Sequence, residues 1–281
     1  MEKMHLVVDL AKCVGCYNCV VACKDEHVGN SWLPYTDGQQ KHGQKWIEVE
    51  RCERGAAPFS EVCYLPRLCN HCGNPPCQAA RKDAVKRRED GVVLLDAGKS
   101  KGDKSLVDAC PNGMISWNEE LGAAQKCTMC AHLLDNGWKE PRCVQACPLR
   151  ALSVVSCGDA EFDGIIKEQR LESLSDMADA PRVMYRNLYK YNTCFIAGAL
   201  AYMDGDTELA ATGASARLLK DGQVLAEVET DFFGEFKIDR LPKNSGTYEL
   251  VCSREGYAPL RREVAVGEDS PCLEVMMFSK V

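Results

Sequence analysis

The stretch Cys13-Val14-Gly15-Cys16-Tyr17-Asn18-Cys19-Val20-Val21-Ala22-Cys23 decides the fold. Its first three thiolates stand two residues apart and line one tight loop. The fourth, three residues further on, has begun to turn away. A loop of this kind wraps one face of a four-iron, four-sulfur cube with three cysteines and gives the fourth to a different cube. One such run therefore predicts a second that exchanges ligands with it. The residue after Cys23 is Lys24, where such runs usually carry proline.

The reciprocal run is Cys127-x2-Cys130-x12-Cys143-x3-Cys147, closed by Pro148. By the crossing rule one cluster takes Cys13, Cys16, Cys19 and Cys147, and a second takes Cys23, Cys127, Cys130 and Cys143. Between the two runs lie Cys69-x2-Cys72-x4-Cys77, with Arg81 where a fourth cysteine would fall, and Cys110-Pro111. Counting back from Cys110 by the same spacing reaches Leu106, Asp103 and Ser100. Cys69, Cys72, Cys77 and Cys110 thus complete a third set. Arg81, Ser100, Asp103 and Leu106 fill every ligand position of a fourth. Chance would gather four non-cysteines into one crossed set only about once in 455 placements. Leucine and arginine do not ligate iron, so the reading is three [4Fe–4S] clusters with the fourth absent.

Fifteen of the 18 cysteines in the 281 residues lie at or before Cys157, which points to a local need for thiolates rather than to general packing. Zinc would favour isolated pairs closing tetrahedral sites, and disulfides would suit a small secreted chain. The interlocked runs ending in Cys-Pro fit neither. Cys52, Cys63, Cys157, Cys194, Cys252 and Cys272 read as apolar thiols. His71 and His132 read as neighbours that tune or pack against ligand cysteines. No Ser/His/Asp set, dinucleotide loop or spaced carboxylate pair is visible, so no residue of this chain is expected to be catalytic. A net charge of −7 argues against a nucleic-acid partner. The most apolar stretch, Cys194 to Met203, is ten residues long, half of what a membrane span needs. No secretory signal is read at the N-terminus, and the expected location is the cytoplasm, unless a partner's signal exports both.

Met4 to Leu10 reads as a strand entering the first cysteine run, residues 160–177 as helical and residues 181–193 as extended. From about Phe195 short β-type runs alternate with turn signals, among them Asp221-Gly222, a strong hairpin dipeptide. Six or seven strands are expected there. The fold class is therefore α+β: a tandem ferredoxin-like iron–sulfur domain over residues 1–157, a helix and extended connector over 158–194, and an all-β sandwich or barrel over 195–281.

The run Cys127-Thr128-Met129-Cys130-Ala131-His132-Leu133, continued by Pro141-Arg142-Cys143-x3-Cys147-Pro148, resembles the iron–sulfur subunits of the dimethyl sulfoxide reductase family of molybdenum enzymes. Asp9-x3-Cys13, Trp46, Glu50-Arg51, Arg88-Glu89-Asp90-Gly91, Trp117-Asn118-Glu119-Glu120 and Asn187-Leu188-Tyr189 narrow the likeness. They are similar to the small subunits of transhydroxylases that act on polyhydroxylated aromatics. Thr230-Asp231-Phe232-Phe233-Gly234-Glu235-Phe236-Lys237 extends the resemblance into the β-domain. The resemblance implies three clusters, a transthyretin-like C-terminal domain, and a heterodimer. Its large subunit would hold molybdenum on two pyranopterin guanine dinucleotides and carry the substrate pocket. Small subunits of reductive catechol dehydroxylases would look alike. An interrupted chain of clusters suits hydroxyl transfer without net redox change better than sustained reduction. A mainly structural, cluster-stapled subunit is the other alternative.

Overall fold

The computed structural model describes residues 2–174 and 180–281. The chain divides into two compact units, Met1–Arg51 with Cys63–Leu188, and Cys52–Val62 with Tyr189–Val281. The division falls at residue 188 rather than near 194. It is also discontinuous, because the hairpin of strands Ile47–Arg54 and Glu61–Leu68 leaves one unit and its tip belongs to the other.

The first unit is organised by strand Lys3–Asp9, a run of apolar residues flanked on both sides. It pairs antiparallel with Leu152–Cys157 (Val8 opposite Leu152) and parallel with Val183–Arg186 (Leu6 opposite Val183). Val7, Cys157, Phe162, Leu171 and Met184 form the core between this sheet and helix Asp159–Gln169. That helix begins after Gly158, carries Asp159 and Glu161 in its first turn, and ends at Arg170 in the left-handed conformation. It stops short of the span expected for 160–177, and residues 175–177 of that span lie outside the described residues. The extended segment expected over 181–193 is strand over Val183–Arg186 and again from Thr193, where the next strand begins, and Tyr189–Asn192 is a helical turn.

A second core, around Leu106, joins Cys77, Ala84, Val85, Val93, Leu95, Ile115 and Ala124. Two small hairpins supply it, Val85–Arg87 with Val93–Leu95 and Ile115–Asn118 with Ala123–Lys126. Among the described residues only helices Asn18–His27 and Asp159–Gln169 exceed five residues. The molecule is therefore mostly β with few helices.

The second unit is a sandwich of two four-stranded sheets. In one, strand Thr193–Asp204 is central, between Thr207–Ala210 and Glu235–Pro242, with Met276–Phe278 parallel to it. The other runs Gln223–Glu229, Ser215–Lys220, Gly246–Ser253, Leu260–Val266. Asp221 and Gly222, both at positive φ, close the hairpin read from the sequence. Ile196, Leu200, Phe236 and Ile238 from one sheet meet Leu218, Leu250, Cys252 and Val264 from the other. Each such buried side chain contributes about 1.5–3 kcal/mol.

Candidate metal centre

Strand Lys3–Asp9 delivers the chain to the first cysteine run. The Asp9 carboxylate fixes the exit, accepting the Ala11 N–H at 3.0 Å and the Asn187 amide at 2.8 Å. Gly15 (φ 65°) then reverses the loop, and a Cβ there would stand 2.4 Å from the Tyr64 ring. Tyr17 is also left-handed, at φ 60°. In the other runs His71, Met129 and Cys130 take the same conformation. Positive φ in residues other than glycine is costly and clusters at functional sites. The Cys127 thiol accepts from Met129 N at 3.3 Å, Cys147 from Ala151 N at 3.2 Å and Cys110 from Met114 N at 3.4 Å.

Helix Asn18–His27 explains why neighbouring thiols part. Cys19 and Cys23 lie four residues apart on it, displaced by about 6 Å along the axis. Cys143 and Cys147 have the same separation, across helix Arg142–Gln145 and its end. Cys13, Cys16, Cys19 and Cys147 line one cavity, with Pro148 and Leu149 at its wall. Cys69, Cys72, Cys77 and Cys110 line another, with His71, Pro76, Pro111 and Lys126. Cys23 faces Cys127 and Cys130, and Cys143 faces Cys130, Cys127 and Cys23. Two of the expected sets of four thus each line one cavity, and the other four thiols lie within electrostatic reach of one another.

The groups are also ordered. Cys19 of the first stands close enough to act electrostatically on Cys23 and Cys143 of the second, and Cys69 of the third acts on Cys127 of the second. The middle group therefore adjoins both others. Burial pushes the Cys23 and Cys143 thiols well above their ordinary range, and pushes Cys127 to about 11 and Cys130 to about 12. Neighbouring thiols add to the rise. Four buried thiolates repel one another, and a cationic iron core offsets that repulsion, so the donor set fits an iron–sulfur cluster. Among the described residues no three Cys, His, Asp or Glu side chains converge on a point that a single ion would occupy. A cube spreads its four thiolates over four irons and calls for a wider set.

Lys126 is 2% exposed and lines the third cavity, with its ammonium bonded to the carbonyls of Val93 and Cys127. Its charge reaches both Cys77 and Cys127. His27, 1% exposed, places Nε2 3.9 Å from the Cys130 sulfur. Neither residue follows from cysteine spacing. Lys126 is flagged only by being a lysine beside a ligand cysteine, and His27 by nothing in the sequence.

At the fourth ligand position the Arg81 guanidinium pairs with the carboxylates of Asp103 and Asp83 and donates to the Lys99 carbonyl at 2.9 Å. The Ser100 hydroxyl accepts from Ala124 N at 3.2 Å and donates to the Ala97 carbonyl at 3.1 Å. Leu106 is wholly buried in the apolar core beside Cys77. An ion pair, a bonded hydroxyl and an apolar plug occupy these positions.

A family model described as a 4Fe-4S dicluster domain matches residues 60–157. The pyrogallol hydroxytransferase small subunit of Pelobacter acidigallici is 40% identical over 262 residues, 92% of this chain and 94% of that protein. A tetrathionate reductase subunit of Salmonella typhimurium is 36% identical over 52% of this chain and 55% of its own length. A sulfite dehydrogenase subunit of Allochromatium vinosum is 33% identical over 60% of this chain and 76% of its own. No helix among the described residues is long and apolar enough to cross a membrane.

Proposed function

The chain belongs to the iron–sulfur subunits of the dimethyl sulfoxide reductase family of molybdenum enzymes, and on that premise we propose that it carries three [4Fe–4S] clusters alongside a large catalytic subunit acting on polyhydroxylated aromatics. The assigned ligands are Cys13, Cys16, Cys19 and Cys147 for the first cluster, and Cys23, Cys127, Cys130 and Cys143 for the second. Cys69, Cys72, Cys77 and Cys110 hold the third. Each cluster supplies a one-electron step, tuned by burial and by hydrogen bonds to sulfur. The observation that carries this reading is the gathering of the cysteines into three crossed, adjoining groups. This chain's own residues position the thiolates, exclude water and bring N–H groups to sulfur. Molybdenum on a bis-pyranopterin guanine dinucleotide, and the substrate, belong to the partner. An oxygen-free cytoplasm suits a chain whose Cys16 is exposed.

The domain reading is a ferredoxin-like cluster domain over residues 1–157, a connector over 158–194 and a transthyretin-like sandwich over 195–281. The two four-stranded sheets support the last of these, and its role is packing or docking. The filled fourth position interrupts the row of clusters, and an interrupted row suits hydroxyl transfer with no net redox change.

The test is turnover of di- and trihydroxybenzenes by the anaerobically purified heterodimer, with and without a low-potential electron donor. Isomerised product without donor is expected. Loss of a hydroxyl only when donor is present would instead make the complex a reductive dehydroxylase.

A further inference from the structure

Two buried histidines stand against the second and third cysteine groups. His27 closes helix Asn18–His27 and turns Nε2 toward the Cys130 sulfur at 3.9 Å. Its ring is clamped. Trp46 packs on it at 4.7 Å between centroids, and His132 meets it edge-on at 5.4 Å. His132 is itself held by Glu26 at 2.9 Å and stacked on Trp32 at 4.5 Å. A thiolate only accepts, so the nitrogen facing it carries the proton. The other nitrogen, Nδ1, is buried without a partner.

His71 reaches the same state by another route. Its Nδ1 accepts the Val93 N–H at 3.0 Å, which fixes the proton on Nε2. That nitrogen is buried without a partner, in a side chain lining the cavity with Cys69, Cys72, Cys77 and Cys110. A buried donor without an acceptor is costly, and its presence calls for an acceptor not yet counted.

We infer that His27 and His71 each donate one N–H to cluster sulfur, His27 to the second cluster and His71 to the third, and make those two clusters easier to reduce. This rests on the ligand assignment proposed above. Reduction adds negative charge to the sulfurs, and a donor fixed against them favours the reduced state more than the oxidised one. Both are positioning residues, and neither touches substrate.

The test is a potentiometric titration of the intact heterodimer followed by electron paramagnetic resonance, comparing wild type with His27→Leu and His71→Leu. Each variant is expected to lower one midpoint potential, a different one in each case, and leave the other two in place. The expected size is about tenfold in the oxidised-to-reduced ratio at fixed potential, about 59 mV for one electron. Where a variant fails to assemble, wild-type protein labelled with 15N-histidine provides the second measurement. Pulsed resonance should then find nitrogen coupling at two of the three clusters. Unmoved potentials with about twelve iron atoms retained per chain, or no histidine coupling in the wild type, would overturn the inference and leave the ligand assignment standing. A wild-type iron content near eight would overturn both.

Discussion

Cys143 and Cys147 sit one helical turn apart, yet they face different groups. Cys147 lines the cavity of Cys13, Cys16 and Cys19, while Cys143 is buried against Cys23, Cys127 and Cys130. Two single substitutions separate crossed from uncrossed ligation. Cys143→Ala should weaken or convert the second cluster and Cys147→Ala the first, so the resonance spectra of the two variants should lack different signals. Loss of the same signal in both would mean that the run serves one cluster. The sets that line the two cavities were legible because ligand spacing is largely a local property, written within a few residues. His27 was not, although it lies one helical turn beyond Cys23, because cysteine spacing does not say which neighbouring side chain turns toward Cys130, 103 residues away; the packing of Trp46 and His132 settles that. A lone histidine at the end of a short helix carries no periodic signal.

At the scale of elements, the hairpin Ile47–Arg54/Glu61–Leu68 shows what patterning misses. Its strands mix charged and apolar residues, and its tip places Arg54, 5% exposed, inside the second unit. Arg54 donates to Glu61 at 2.7 Å, to Asp239 at 3.1 Å and to the Thr193 carbonyl at 3.2 Å, and Lys237 pairs with both carboxylates. Arg54→Met should cost about 3 kcal/mol, since it leaves two partly buried carboxylates to Lys237, with Lys190 3.9 Å from Glu61 as their other cation. Faster hydrogen exchange in strand Glu235–Pro242 checks it. Burial works to raise the pKa of Glu61 and Asp239, but hydrogen bonds outweigh it and hold both below the usual carboxylate range. The donors are Lys237 and Arg54 for Glu61, and the Arg240 backbone and Arg54 for Asp239. With folded values below unfolded ones, their stabilisation is complete above about pH 4.5 and is lost as acid protonates them in the folded state. Exchange in that strand, corrected for intrinsic rates, should therefore rise below pH 4 in the wild type, and much less in Arg54→Met. The apolar run Cys194–Met203 is the other element that patterning hid. It is the central strand of its sheet, buried along most of its length, so the period of two that reveals half-buried strands is absent. Asp221-Gly222, by contrast, declared its hairpin because positive φ at both turn positions restricts which residues serve there.

Across the whole molecule the two units hold themselves together by different means. The second has a continuous apolar core drawn from both of its sheets. The first has apolar clusters around Phe162 and around Leu106, with Leu6, Val8, Ile47, Leu65, Leu152 and Tyr185 also buried, and it adds thiols between its loops whose deprotonated forms repel one another. Without iron those thiols either stay protonated, with poor hydrogen bonding, or ionise against burial. Under the proposed assignment, iron would make the same twelve side chains cross-links between segments as distant as Cys13 and Cys147. Removing the clusters with an oxidant and a chelator should therefore unfold the first unit while the second keeps its structure. Exchange by mass spectrometry is the measurement. Peptides covering Lys3–Asp9 and Leu152–Cys157 should lose protection together, because those strands pair residue by residue from Lys3–Cys157 to Val8–Leu152. Peptides covering Gly246–Ser253 should stay protected, because their partners Ser215–Lys220 and Leu260–Val266 owe nothing to iron. Equal loss in both units would mean that the sandwich depends on the cluster unit for its fold. Equal retention would mean that the apolar core of the first unit suffices, and that the thiolates were kept for electron transfer alone rather than also for folding.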